Sequence, residues 1–140
     1  MLLDANVLLC AVDNDSTRYL PCARWVDAAF NGQRRIALPW QTIGAFLRIS
    51  THPRIFRQPL TAREAWEMVD QWLAAPICWV PEATERTAAI LGGLVTDLDV
   101  TGNLITDAQL AALAIEHGLA VVSVDSDFAR FPNVRWINPS

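Results

Sequence analysis

An aspartate interrupts the apolar run that follows Met1, Leu2-Leu3-Asp4-Ala5-Asn6-Val7-Leu8-Leu9. A run of this kind builds the interior of a fold, and an unpaired charge placed there costs several kcal/mol. Asp4 therefore has to be neutralised, paired with a cation or bound to a metal. Lysine cannot supply the cation, because all eleven basic residues are arginine. The choice lies between an arginine and a metal ion.

A chain of 140 residues fits one domain, spanning 1–140, that buries roughly two-thirds of the surface its unfolded form exposes. Its hydrophobic fraction of 52%, with six tryptophans, exceeds the globular average and points to apolar surface covered by a second copy or another chain. No segment approaches the roughly 20 apolar residues of a membrane span. A secretory signal is not expected, since the basic n-region is missing and Asp4 sits where the apolar stretch would begin. Cys10, Cys22 and Cys78 are odd in number and widely spaced, which fits neither a disulfide framework nor a zinc site and favours a reducing cytoplasm. The net charge of −4 argues against a simple basic clamp on nucleic acid. It leaves room for acids gathered on a metal while arginines contact phosphate.

The order of elements sets the fold class. A strand is expected over Leu2–Leu9, a helix from Pro21 to Phe30 closed by Asn31-Gly32, and a short strand over Ile36–Leu38 stopped by Pro39. Gln41–Ser50 follows as a helix. The Thr61…Glu64 capping box opens another to about Ala75, before a strand over Ile77–Val80. A helix carrying Ala88, Leu91 and Val95 comes next, and a second box, Thr106…Gln109, starts a helix ending at Gly118. Ala120–Val124 is a fully apolar strand, and Arg135–Ile137 a short last one. Short apolar strands alternating with helices predict a mainly parallel sheet in a three-layer α/β/α sandwich. Such sheets bind ligands beyond the carboxyl ends of their strands.

Four aspartates fall at element junctions: Asp4, Asp107, and the pair Asp125 and Asp127 after the last long apolar strand. Clustered carboxylates raise one another's pKa, so a cation is expected among them. All-oxygen ligands suit magnesium or manganese, whereas His52, His117 and the scattered cysteines offer no zinc set. Carboxylate-held divalent ions support in-line phosphodiester hydrolysis, so a metal-dependent nuclease is the chemistry this pattern reaches first. Each acid also has a plainer use. Asp107 would favour the first turn of a helix by about 0.3–1 kcal/mol, and Asp125 and Asp127 fit Asx turns. A structural role for Asp4 requires a buried arginine.

Four blocks taken in order resemble the PIN-domain ribonucleases, specifically the VapC toxins of bacterial toxin–antitoxin pairs. They are Met1–Leu9, Ala45–Phe56 (with Phe46-Leu47-Arg48 and Thr51-His52-Pro53-Arg54), Gly102–Ala114 (with Asn103, Thr106 and Asp107), and Val124–Phe131. The resemblance implies a PIN-like fold and an endoribonuclease dependent on Mg2+ or Mn2+. It further implies structured RNA, tRNA or rRNA, as substrate and a cognate VapB-type antitoxin as partner. By position it makes Asp4 and Asp107 the principal metal ligands, Asp125 a further catalytic acid and Asp127 a ligand or neighbour. It assigns Asn6, Asn103 and Thr106 to orienting the acids or the phosphate. Many relatives carry a glutamate just before the Phe-Leu-Arg segment, where this chain has Ala45. An RNA- or antitoxin-binding module with weakened catalysis is therefore the alternative.

Arg48, Arg54, Arg57 and Arg130 are candidates for RNA or antitoxin contact, and equally for solvated surface. Arg48 also qualifies as the ion-pair partner of a site acid. The tryptophans are expected mainly in packing, and the Trp66, Met68, Val69, Trp72, Leu73 face as a seat for an antitoxin segment. The resemblance and the hydrophobic excess together imply a homodimer. A phosphoaspartyl enzyme, faintly suggested by Asp4-Ala5-Asn6-Val7, lacks the lysine that such chemistry commonly recruits.

Overall fold

The computed structural model describes residues 1–140. Five strands form one parallel sheet: β1 (Leu2–Leu3), β2 (Ile36–Ala37), β3 (Cys78–Trp79), β4 (Val121–Val122) and β5 (Trp136–Ile137), in the order β3-β2-β1-β4-β5. Six helices connect them: α1 (Ala5–Val12), α2 (Tyr19–Phe30), α3 (Trp40–Ser50), α4 (Ala62–Ala74), α5 (Glu85–Asp97) and α6 (Leu104–His117). No helix is long and apolar enough to cross a membrane.

Period-two alternation along the short strands sends neighbours to opposite faces. Leu3, Ile36 and Val122 pack with Val7, Val26, Phe46 and Val69 of α1 to α4, whereas Leu2, Ala37 and Val121 pack with Leu94, Ala111 and Leu113 of α5 and α6. The result is the expected three-layer sandwich. Thr61 caps α4 by accepting from the Glu64 amide at 3.1 Å. Gly118 closes α6 in the left-handed conformation, φ 66°, where a side chain would be strained.

The strands expected over Ile77–Val80 and Ala120–Val124 are trimmed to Cys78–Trp79 and Val121–Val122, α2 begins at Tyr19, and two further boundaries differ in kind. The strand predicted to reach Leu9 stops at Leu3, and Ala5–Val12 is helix α1. A continuous apolar run does not distinguish strand from helix by period. Here Asp4 takes the extended N-cap conformation, φ −82° and ψ 149°, and helix-favouring Ala and Leu continue beyond it. Helix α6 likewise begins at Leu104, not at a Thr106 box. The Thr106 hydroxyl donates to the Asn103 carbonyl at 2.9 Å and caps nothing. The apolar side of α4 is also already used. Val69 is buried, Met68, Trp72 and Leu73 lie on the core, and Trp66 stands out as the exposed member.

Phe46 is fully buried and meets Trp72 edge-on, with centroids 4.9 Å apart and planes at 69°. Phe46→Ala should lower unfolding free energy by about 3–5 kcal/mol, read as a reduced urea midpoint at unchanged m-value. A loss under about 1 kcal/mol would contradict this packing.

Candidate metal and active site

Strand order reverses at β1, whose successor β2 lies on one side while β4 lies on the other. That switch point leaves a crevice beyond the carboxyl ends of β1 and β4. The first residue past β1 is Asp4, and the segment past β4 delivers Ser123 and Asp125. Asp107 reaches the same edge from the first turn of α6. One carboxylate oxygen each from Asp107, Asp125 and Asp127 lies within 4.8 Å of the others. Asp4 and Asp107 line a cleft of about 240 Å3 together with Asn6, Ala45, Arg48 and Thr106.

Ser123 organises the acids. Its hydroxyl donates to Asp4 Oδ2 at 2.8 Å and accepts from Asn6 Nδ2 at 2.9 Å and from the Asp125 amide at 3.0 Å. One proton and two lone pairs are thereby all used. Asn6 Oδ1 takes the Val124 amide at 3.2 Å, tying the start of α1 to the segment after β4. Beneath them, buried Thr42 donates to the Leu3 carbonyl at 2.6 Å and fixes α3 against the end of β1. Sequence reasoning singled out neither Ser123 nor Thr42. The available signal was a lone hydroxyl within the apolar stretch Val121-Val122-Ser123-Val124.

No arginine forms a salt bridge with Asp4. The chain's one salt bridge is peripheral, Arg130 Nε to Asp127 Oδ1 at 3.5 Å, with side chains 64% and 42% exposed. Burial pushes the Asp4 carboxyl up, against the opposing pull of the Ser123 hydroxyl and the first amides of α1. Asp107 is pushed up to about 6 by burial and then by the charges of Asp4, Asp125 and Asp127. Asp125 also makes the Asx turn expected of it, accepting from the Asp127 amide at 2.9 Å. That bond leaves further lone pairs facing the cluster.

Other candidates divide by place. Arg48 and Ala45 line the cleft, so a side chain at position 45 would enter it beside Asp4 and Asp107. Arg54 and Arg57 are exposed and do not line it. Asn103 is the exposed N-cap residue of α6, and its side chain makes no capping hydrogen bond. Arg18, absent from the sequence candidates, donates to the Val124 carbonyl at 3.4 Å beside the acidic segment.

The family model described as PIN domain matches residues 1–134. Ribonuclease VapC37 of Mycobacterium tuberculosis is 44% identical over 138 residues, which cover 99% of this chain and 96% of that protein. Ribonuclease VapC31 of the same species is 39% identical over 138 residues, covering 99% and 97%. Among solved structures, VapBC2 from Rickettsia felis bound to a DNA fragment from its promoter matches with a TM-score of 0.71 at 18% identity, over 98% of this chain and 96% of that one. VapBC-1 from nontypeable Haemophilus influenzae also gives 0.71, at 13% identity over 99% and 96%. The solved structures speak for the fold alone. The family model and the sequence relatives go further, and the chain belongs to the PIN-domain family of VapC ribonucleases.

Proposed function

We propose that residues 1–140 act as one domain, the toxin of a VapBC-type pair, and that it is an Mg2+- or Mn2+-dependent endoribonuclease cutting structured RNA, tRNA or rRNA. One observation carries the reading: carboxylates from separate segments converge at the switch point, and of them only Asp127 forms a salt bridge, although Arg48 lines the same cleft. An all-carboxylate set with oxygens within 4.8 Å of one another fits a hard divalent ion, which would keep waters at its remaining positions. When bound, the ion supplies a clamp for phosphate oxygens, an acidified water and stabilisation of the departing oxygen.

The chain's own residues do the rest. Asp107, Asp125 and Asp127, with oxygens within 4.8 Å of one another, hold the ion together with Asp4 from the end of β1, and Arg130 draws off part of the Asp127 charge. Asn6, through Ser123, keeps Asp4 aimed at the cleft. Thr106 and Asn103, at the head of α6, orient the phosphate. Arg48 offers a guanidinium to an RNA phosphate or to a carboxylate of the antitoxin, and Arg54 and Arg130 extend that contact. The protein works in the cytoplasm as a homodimer, held inactive by a VapB-type antitoxin. VapBC assemblies among the structural neighbours support that partner. A second reading, an RNA- or antitoxin-binding module with weak catalysis, is favoured by Ala45 standing in the cleft.

Asp4→Asn and Asp107→Asn should each lower divalent-dependent RNA cleavage by more than about 100-fold with the fold retained, as read by sequencing RNA ends after induced expression and by circular dichroism. Undiminished cleavage by the purified variants would sink the assignment. Ala45→Glu should tighten divalent binding on the order of tenfold in calorimetric titration, because it adds a charged ligand where the cleft has space. Unchanged affinity would show that position 45 does not face the metal.

The pH dependence follows from Asp107, whose carboxyl lies at about 6 in the folded chain against 3.8 ordinarily. Between those values the folded state binds more protons than the unfolded one, so stability without metal falls as pH rises from about 4 to about 6. Metal requires the deprotonated acids, so the rise in Tm on adding Mg2+ should grow across the same window. Thermal melts from pH 4 to 8, with chelator and with Mg2+, test both. A flat chelator profile, or the same slope in Asp107→Asn, would contradict the electrostatic account.

A further inference from the structure

A parallel sheet has a second edge, where every strand begins. At that edge lies a cleft of about 510 Å3 lined by Arg34, Arg35, Arg135, Trp79 and His117, among others. The arginines immediately precede β2 and β5, so the chain enters those strands through them. Their backbone carbonyls serve the ladder, with Arg35 accepting from the Met1 amino group at 2.9 Å and Arg135 from the Val121 amide at 2.9 Å. Their side chains are exposed and none forms a salt bridge. Glu116, adjacent to His117 in sequence, is engaged by the hydroxyls of Thr84 and Thr87. Burial and the Arg34 charge hold the Met1 amino group below its ordinary pKa, as expected where positive groups gather without an acid.

Two features suit this cleft to phosphate. The Arg35 guanidinium lies 5.0 Å from the centre of the Trp79 ring. Stacking on an aromatic face restrains a guanidinium while leaving its in-plane N–H groups free for a phosphate. The second feature is width. Strands β2 and β5 are separated by β1 and β4, so Arg34 and Arg35 stand three strand spacings, about 14 Å, from Arg135. Arginines rooted that far apart and lining one cleft offer room for more than one phosphate, as a polyanion presents.

We propose that this amino-edge cleft is a second RNA-contact site, holding the phosphate backbone of a structured RNA whose scissile bond lies at the acidic edge. The inference rests on the ribonuclease reading for its substrate and adds to it a place where the far part of that substrate is held. A domain of this length has a radius of gyration of about 14 Å and is roughly 35–40 Å across, so only a folded RNA large enough to pass along the flank of the domain reaches both edges. RNA too short to span the domain touches only the acids. The cleft thus discriminates by size and fold, reading no bases.

The test uses the full chain carrying Arg34→Ser and Arg135→Ser, leaving the stacked Arg35 in place. Expected for a structured RNA is a KM raised about tenfold with kcat unchanged, and kinetics on a four-nucleotide single strand equal to wild type. Binding of the structured RNA in chelator, which needs no hydrolysis, should show a log–log salt slope reduced by about 2. The paired Arg34→Lys, Arg135→Lys variant, which keeps charge and loses the fork, should recover most of that slope. Equal structured-RNA KM and equal salt slope in wild type and the serine variant would overturn the proposal. So would serine substitutions that weaken antitoxin binding and leave RNA binding untouched, since the cleft would then serve an acidic protein segment. Failure of the ribonuclease reading looks different: wild type would cut neither RNA, while the chelator binding slopes would still decide for or against the cleft.

Discussion

Repulsion among carboxylates is the constraint on which the rest of this structure turns. Two charges about 5 Å apart near a protein surface repel by roughly 3 kcal/mol at an effective dielectric of 20, before screening by salt. Asp107 has two such neighbours, Asp125 and Asp127, and feels the charge of Asp4 as well. Against this the fold sets modest assets. The Ser123 hydroxyl donates one charge-assisted hydrogen bond, of about 1.5–3 kcal/mol, to Asp4. The N-termini of α1 and α6 each offer about 0.3–1 kcal/mol, and Arg130 lies too far out to reach more than Asp127. These do not close the gap. Burial of the Asp107 carboxyl adds to the remainder, and the two together push its pKa up to about 6; the balance is met by protonation or by a cation. A stability-optimised chain would pair the acids with arginine, and the lack of any salt bridge to Asp4, Asp107 or Asp125, even with Arg48 lining the same cleft, is what makes the cluster a candidate for function.

The supporting framework is correspondingly stiff where it has to be. Asp4 donates its amide to Val122 at 3.0 Å, so the residue that carries the charge is itself part of the central ladder. Thr42 locks the next layer to the Leu3 carbonyl, and Asn6 ties α1 to the backbone past β4. The Ser123 hydroxyl thus joins two segments far apart in sequence, and Thr42 anchors a third to the residue before Asp4. Replacing Ser123 would release Asp4 and Asp125 together, an effect that neither acid's own substitution reproduces.

Much of this was legible in the chain before its folding was known. The alternation of short apolar runs with capped helices gave the layers. Thr61 with Glu64 and the glycine at 118 marked ends by local hydrogen bonding and by φ, both of which are sequence-local properties. Junction placement made the four aspartates conspicuous. What stayed hidden depended on distant partners. The end of β1 could not be seen, because Leu2–Leu9 satisfies strand and helix alike until the sheet claims Leu2 and Leu3 and leaves Asp4 to start α1. The role of Ser123 was invisible for a related reason. A lone serine in an apolar stretch marks itself but not its role, because its partner Asp4 is 119 positions away. The question first posed by Asp4, arginine or metal, omitted the neutral hydroxyl that the fold supplies.

Parallel strands add one more consequence that net charge conceals. A parallel sheet gathers all carboxyl ends at one edge and all amino ends at the other, so residues placed just after strands and just before them are sorted to opposite sides. Here Asp4 and Asp125 follow strands, and Arg35 and Arg135 precede them. The chain's −4 is thus a residue of segregation: an acidic edge able to hold cations and a basic edge facing away from it. A divalent ion held by the acids would bring the net charge from −4 to −2, so the far field would stay negative while repulsion at the acidic edge fell. The arginine edge would then act on a polyanion only at short range, within about 8–10 Å at moderate salt, where its local charge outweighs the net charge of the chain.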